Sequence, residues 1–186
     1  MDRAMQSLRS ALVVFGLLTL ITGVAYPAVV TGIVQLAFPA QAAGTLVRAG
    51  DGEVRGSRLL AQGFEDPAYF WPRPSAVSYN AAGSGGSNLG PRSAALRERT
   101  EEAVAALRAS APVPAELVTT SGSGLDPHLS PEAARFQAPR IAAARGIPAE
   151  RVLALIEEHT ESRQLGFLGD PRVNVLDLNL ALGALR

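Results

Sequence analysis

Residues 11–38 form the apolar stretch ALVVFGLLTLITGVAYPAVVTGIVQLAF, and no charged residue lies between Arg9 and Arg48. A helix needs about 20 apolar residues to cross a hydrocarbon core of about 30 Å. At about 1.5 Å per residue, a helix over this stretch is about 42 Å long and can span a bilayer even when tilted. We therefore predict a single transmembrane helix over residues 11–38.

Two other interpretations of the stretch fit less well. A cleaved secretory signal would use Ala40-Gln41-Ala42 as its cleavage site, but a signal core is about 7–15 residues long and this run is about twice that length. A buried helix of a soluble domain would normally show a polar face. An uncleaved anchor is the interpretation that we follow.

The flanking charges predict the orientation of this anchor. Arg3 and Arg9 precede it, and positively charged flanks stay on the cytoplasmic side. We expect residues 1–10 to form a short cytoplasmic N-terminus and residues 40–186 to form one extracytoplasmic domain.

Composition excludes several classes of function. The formal net charge is zero, so no basic face indicates nucleic-acid binding. Cysteine is absent, which excludes disulfides and thiol chemistry. His128 and His159 are the two histidines, so a zinc site of the usual Cys/His kind cannot form. We predict no metal site and no covalently bound cofactor.

Residues 40–186 predict an α+β domain with helices packed on a small sheet. Ser130 before Pro131 is a typical helix start, and Gly146 a typical helix end. The predicted elements are a hairpin of Thr45–Arg48 and Glu53–Gly56, a strand at 57–64, a long ordered loop at 63–91, helices at 92–109, 131–144 and 148–163, a strand at 115–120, and a strand or closing helix at 173–185. In the helix at 92–109, Arg99 is placed on the outer face.

The long loop contains an aromatic element, Tyr69-Phe70-Trp71-Pro72-Arg73-Pro74-Ser75. Aromatic residues beside an arginine are typical of protein interfaces. The same residues would equally suit a strap that crosses the core, and the sequence leaves both interpretations open. His159, on an apolar helix stripe, is expected to be a satisfied, half-buried histidine.

Two glycine- and serine-rich loops are the remaining candidates for a site: the first glycine loop, residues 83–91, and the second, residues 119–131. Clustered glycines in the first loop can present backbone N–H groups to an anion. However, no phosphate-loop motif is present and the chain has no lysine. A tight turn or the lip of a binding surface is the competing interpretation.

The second glycine loop places serine, aspartate and histidine close together. Ser121 or Ser123 with Asp126 and His128 would suit a hydrolase, but the spacing of a nucleophile elbow is missing. Alternatively, Asp126 caps a turn and His128 makes a structural hydrogen bond.

Several strings in order along the chain resemble one family. They are LLAQGF (59–64), YFWPRPSAVSYN (69–80), SGGSNLGP (84–91), VPAELVTTSGSGLDPHLSPEAA (113–134), PRIAAARG (139–146) and VNVLDLNLAL (173–182). Together with the N-terminal span, they make the chain similar to KdpC, the family of C subunits of the bacterial potassium-transporting P-type ATPase complex.

The resemblance implies a non-catalytic subunit in the bacterial cytoplasmic membrane, needed for assembly. Its implied partners are a channel-like potassium-translocating subunit (KdpA), an ATP-hydrolysing subunit (KdpB), a small single-span subunit (KdpF) and the lipid bilayer. ATP and potassium are implied as ligands of the complex. The outer domain of the family is placed over the ion entrance of the channel-like subunit.

The resemblance also implies candidate site residues. The family is described as a catalytic chaperone that raises ATP affinity, with Ser84, Gly85, Gly86 and Ser87 likened to a signature loop of ABC ATPases. Because the charge flanks place these residues outside, we favour a structural role at the outer ion entrance. The candidate partner-binding residues are Tyr69, Phe70, Trp71, Arg73, Asn88, Ser121, Ser123, Asp126 and His128. A membrane-tethered serine hydrolase and an envelope scaffold module remain the alternatives.

Overall fold

The chain divides into two units, Met1–Thr45 and Leu46–Arg186. The structure, a computed structural model, describes residues 2–48, 50, 52–107 and 112–185. The two units differ in where their apolar side chains lie. The first exposes most of them, and the second buries them in a core.

The N-terminal unit is an almost uninterrupted helix. Helix α1 (Asp2–Leu20) passes through a π-helical turn (Ile21–Ala25) into α2 (Tyr26–Ala37), and the short α3 (Pro39–Ala42) follows. The Tyr26 amide donates to the Ile21 carbonyl, five residues back. This wider turn precedes Pro27, which has no N–H to donate and would crowd a regular α-helical turn.

The predicted long apolar helix is confirmed. Among the described residues, one helix, Arg3–Ala37, is long and apolar enough to cross a membrane, and no residue in its most apolar window is buried. The helix begins at Asp2, so residues 2–10 continue it instead of forming a separate segment. It ends at Ala37, and the next residue, Phe38, has a non-helical φ of −137°, as suits a residue that precedes a proline.

The second unit begins with the predicted hairpin. Strands β1 (Leu46–Arg48) and β2 (Val54–Ser57) pair antiparallel, with Leu46 opposite Ser57. Residues 49 and 51 of the connecting turn lie outside the described residues. The predicted strand at 57–64 is wrong because the Ser57 hydroxyl accepts a hydrogen bond from the Leu59 amide, which turns the chain.

A three-stranded antiparallel sheet lies among three helices. The sheet contains β3 (His128–Leu129), β4 (Thr160–Glu161) and β5 (Arg172–Asn174) in the order β3-β5-β4. The helices are α5 (Pro131–Arg145), α6 (Ala149–Glu158) and α7 (Val175–Ala184). Helices on a small sheet confirm the predicted α+β class. The core comprises Phe70, Leu117, Leu129, Ala133, Ala134, Ala138, Ile141, Ala142, Val152, Leu155, Ile156, Val173, Val175, Leu178 and Leu182.

The local helix signals worked as predicted. The Ser130 hydroxyl accepts a hydrogen bond from the Ala133 amide at the start of α5, and Gly146 ends the helix with a left-handed φ of 65°. His159 is the C-terminal cap of α6, and its Nδ1 lies 3.0 Å from the Leu155 carbonyl. It is the satisfied, half-buried histidine that the sequence predicts.

Three element predictions need correction. Residues 115–117 form a 3-10 turn instead of a strand. Helix α6 ends at Glu158, before the predicted residue 163, because the chain enters β4. The segment at 173–185 is divided between strand and helix, since the Asn174 side chain accepts hydrogen bonds from the Leu176 and Asp177 amides and starts α7.

Helix α4 (Ala94–Leu107) forms within the predicted range, and residues 108 and 109 lie outside the described residues. None of its residues is buried. Arg99 is not on an outer face as predicted, because its guanidinium donates to the Ser75 carbonyl at 3.2 Å and ties the helix to the long loop.

Candidate functional site

The aromatic element crosses the core as a strap, residues 66–73. Its centre is Phe70, whose ring is 0% exposed. The Asn179 side chain accepts from the Phe70 amide at 2.8 Å and donates to the Phe70 carbonyl at 3.0 Å. One buried amide from α7 thus satisfies both backbone polar groups of a residue that has no strand partner.

A second side-chain amide makes the same pair of hydrogen bonds to the backbone of the next residue, Trp71. Gln137 of α5 accepts from the Trp71 amide at 2.8 Å and donates to the Trp71 carbonyl at 3.0 Å. Gln137 is 2% exposed and Asn179 is 3% exposed. Because buried polar groups are costly without partners, these two amides hold the strap in one position.

Two arginines of α5 cover the strap. The Arg140 guanidinium lies 4.0 Å above the Trp71 ring centre and donates to the Tyr69 carbonyl at 3.0 Å. Burial lowers the pKa of Arg140 to about 10, and Asp66 acts against this shift. Arg145 lies 4.9 Å from the Tyr69 ring centre and donates to the Ala68 carbonyl at 2.7 Å.

The strap interpretation therefore describes the position of the aromatic element. The Phe70 ring packs in the core and presents no surface to a partner, which corrects its assignment as a partner-binding residue. Tyr69 and Trp71 are half-buried and keep an exposed part. Arg73, at the end of the strap, forms an ion pair with Asp126 of the second glycine loop at 3.2 Å.

The structure brings the two glycine loops together. The Gly85 amide donates to the Ser123 carbonyl at 2.8 Å, and the Ser84 hydroxyl donates to the same carbonyl at 3.2 Å. The Gly85 N–H, which the sequence offers as part of an anion cradle, is therefore used within the chain. Ser87 is half-buried and Asn88 is exposed, with a left-handed φ of 53°.

Close packing explains why glycines occupy this junction. A Cβ on Gly86 would lie 3.2 Å from the Gly122 carbonyl oxygen. A Cβ on Gly124 would lie 2.8 Å from the Gly85 carbonyl oxygen, and the φ of Gly124 is +68°. Glycine is required here by contact between backbones as well as by conformation.

Ser75 connects the strap to the second glycine loop, a role that the sequence alone did not predict for it. Its hydroxyl donates to the Gly124 carbonyl at 2.6 Å and accepts from the Val77 and Tyr79 amides. The Tyr79 hydroxyl donates to the Arg73 carbonyl at 3.1 Å, and burial raises the pKa of Tyr79. A serine after Pro74 in a turn was the available signal.

The serine, aspartate and histidine of the second glycine loop serve local structure. Ser121 and Ser123 accept from the Gly124 and Leu125 amides, and Asp126 accepts from the His128 amide at 3.1 Å. Burial lowers the pKa of His128, although Asp126 acts to raise it. In this fully described loop no hydrogen bond joins the His128 ring to either serine, so the arrangement lacks the nucleophile and base contact of a hydrolase.

These features define a class: a protein with, among the described residues, one helix long and apolar enough to cross a membrane, and an α+β unit whose polar loop residues hold the fold. A family model described as "KdpC: K+-transporting ATPase, c chain" matches residues 8–184. The chain belongs to the KdpC family.

Individual relatives agree over nearly the whole chain. A protein of Polaromonas naphthalenivorans named potassium-transporting ATPase KdpC subunit is 56% identical and aligns over 96% of this chain and 95% of its own length. The protein of that name from Geobacter sulfurreducens is 52% identical, over 97% of this chain and 99% of its own. That from Caulobacter vibrioides is 55% identical, over 95% and 92%.

Proposed function

We propose that the chain is a non-catalytic subunit of a potassium-transporting ATPase complex. The observation that carries this proposal is the match of residues 8–184 to the KdpC family, joined to a helix of spanning length. The side chains that suggested a hydrolase make backbone contacts instead. Its partners are the channel-like subunit (KdpA), the ATP-hydrolysing subunit (KdpB) and the small single-span subunit (KdpF).

The helix crosses the bacterial cytoplasmic membrane once, with Arg3 and Arg9 inside. Unit Leu46–Arg186 is then extracytoplasmic, and it caps the outer ion entrance of the channel-like subunit. The support is the charge distribution, since basic flanks remain in the cytoplasm.

The serine and glycine string 84–87 does not contact ATP under this proposal. The Gly85 amide and the Ser84 hydroxyl both donate to Ser123, so this loop is closed by its own chain. Any effect on ATP affinity passes to the ATP-hydrolysing subunit through the membrane helices.

Deletion of residues 46–186 tests the role in transport. We expect the truncated chain to insert with the other subunits and to abolish potassium uptake. Full-length Asn80→Ala, a change at an exposed turn, is the control and should transport normally. Normal uptake by the truncated chain would contradict the proposal.

Single cysteines test the orientation, because the native chain has none. Ser7 in α1 and Ala144 in α5 are both exposed. In intact cells an impermeant thiol reagent should label Ala144→Cys and leave Ser7→Cys unlabelled, and permeabilised cells should label both. The opposite pattern in intact cells would place the α+β unit in the cytoplasm and reopen direct contact with ATP.

A further inference from the structure

Helix α4 buries less of its surface than α5, α6 and α7 do. None of its 14 residues is buried, whereas α5 buries six residues, α6 three and α7 five. The inner face of α4 is half-buried along its length, at Leu96, Arg99, Thr100, Ala103 and Leu107. In proteins most of the stability of a helix comes from the packing of such a face. An element with few buried apolar contacts opens at a lower free energy than the core does.

Two contacts connect α4 to the rest of the α+β unit. The Arg99 guanidinium donates to the Ser75 carbonyl at 3.2 Å, and this is the one hydrogen bond that joins residues 90–107 to another described segment. At the C-terminal end of the helix, Leu107 is partly buried and packs against the core. We call the hydrogen bond between Arg99 and Ser75 the latch, because it is the polar contact that holds the middle of the helix.

The chain before α4 changes from fixed to exposed within a few residues. At the fixed end, the Ser84 hydroxyl and the Gly85 amide both donate to the Ser123 carbonyl. Residues 90–92 are exposed, and a Cβ on Gly90 would meet no atom within 4 Å beyond its chain neighbours. Movement of α4 can therefore be taken up at residues 90–92 without separating the two glycine loops.

Once α4 leaves the surface, little keeps it helical. An isolated helix shorter than about 12–15 residues is marginal in water, even when it is rich in alanine. Helix α4 has 14 residues, of which five are alanine, so it lies at that limit. Detachment and unfolding of α4 are therefore one event, in which its backbone amides become open to exchange with water.

We propose that α4 is a releasable helix, which detaches and unfolds while the core and the junction of the two glycine loops stay intact. The hydrogen bond between Arg99 and Ser75 is its latch. Release uncovers the Ser75 carbonyl and the inner apolar side chains Leu96 and Leu107. The α+β unit then has a closed surface and an open one, and it changes between them without a partner subunit.

Residue-resolved hydrogen exchange of the full chain in detergent micelles tests the release. We expect the amides of α4 to exchange about 100-fold faster, or more, than the buried amides of α5, because they open locally. Low urea should speed exchange in α5 more steeply than in α4, since release exposes less surface than global unfolding does. Equal protection of the two helices, or an equal urea dependence, would show that α4 opens only with the core and would overturn the proposal.

Arg99→Ala tests the latch, with Arg97→Ala as its matched control. Arg97 is exposed on the same helix, so the two substitutions change the helix propensity alike. Loss of a hydrogen bond from a charged donor should make α4 of Arg99→Ala exchange about tenfold faster. Arg97→Ala should exchange within about twofold of wild type, and the amides of α5 should be unchanged in both variants. Equal exchange of α4 in the two variants would overturn Arg99 as the latch.

The Gly85 amide locates the boundary of the released segment. It donates to the Ser123 carbonyl at 2.8 Å, in the junction that stays intact. We expect Arg99→Ala to leave the exchange rate of this amide unchanged while the amides of residues 94–107 accelerate. Acceleration of Gly85 together with α4 would place the loop junction inside the opening segment and overturn the proposal.

Discussion

Replacement of Asn179 by alanine should destabilise the α+β unit through the strap, 109 positions away along the chain. The substitution removes the two hydrogen bonds, of 2.8 and 3.0 Å, that satisfy the backbone amide and carbonyl of Phe70. Phe70 is 0% exposed, so water cannot replace them. Each buried unsatisfied group costs about 1–3 kcal/mol, so we expect a loss of about 2–6 kcal/mol in the free energy of unfolding.

The assay is urea unfolding of the full chain in detergent micelles, followed by tryptophan fluorescence. Trp71 is the single tryptophan and lies in the strap, 4.0 Å below Arg140, so it reports on this segment directly. Asn80→Ala is the control, because its amide oxygen accepts one exposed hydrogen bond from Ala82 that water can replace. A loss of under about 1 kcal/mol for Asn179→Ala would refute the argument that the amide is essential.

A double-mutant cycle extends the test. Gln137→Ala removes the matching pair of hydrogen bonds from Trp71. Both amides hold the same continuous strap. If either substitution releases the strap, the second substitution removes less of the remaining free energy of unfolding. We expect the double variant to lose less stability than the sum of the single variants. Strict additivity would show that the two amides act independently.

Three further changes give expected outcomes. Gly124→Ala places a Cβ 2.8 Å from the Gly85 carbonyl oxygen at a φ of +68°, so urea unfolding should show a loss of about 1–3 kcal/mol, and an unchanged midpoint would contradict the packing argument. Because burial lowers the pKa of His128, the unfolded chain binds more protons near pH 6.5, so stability should fall as the pH is lowered through that value. His128→Gln should flatten this dependence in melting curves recorded from pH 8 to pH 5; an unchanged slope would locate the effect elsewhere. Ser130→Ala removes the cap on the Ala133 amide and the hydroxyl that donates to the Glu116 carboxylate, and should cost about 1 kcal/mol, whereas Ser130→Thr keeps the hydroxyl and should retain most of the stability.

Local sequence determined the parts of the structure whose causes lie within a few residues. The apolar run at 11–38 indicates a spanning helix without reference to any other part of the chain, because its length and composition alone favour a lipid environment. Ser130 and Gly146 bound α5 through hydrogen bonds and a backbone angle that are each confined to one turn. The hairpin at 46–57 follows from short strands around a glycine-containing turn.

Tertiary structure alone decided the strap, the loop junction and the split of residues 172–184 between strand and helix. Asn179 and Gln137 lie far along the chain from the residues that they hold, and an amide on a helix carries no periodic signal of its destination. Gly86 and Gly124 resemble ordinary turn glycines until the second backbone is in place. The physical reason is that every buried backbone N–H and C=O group needs a hydrogen-bond partner. Outside helices and strands, the partner is whichever side chain or backbone group the packed fold places beside it.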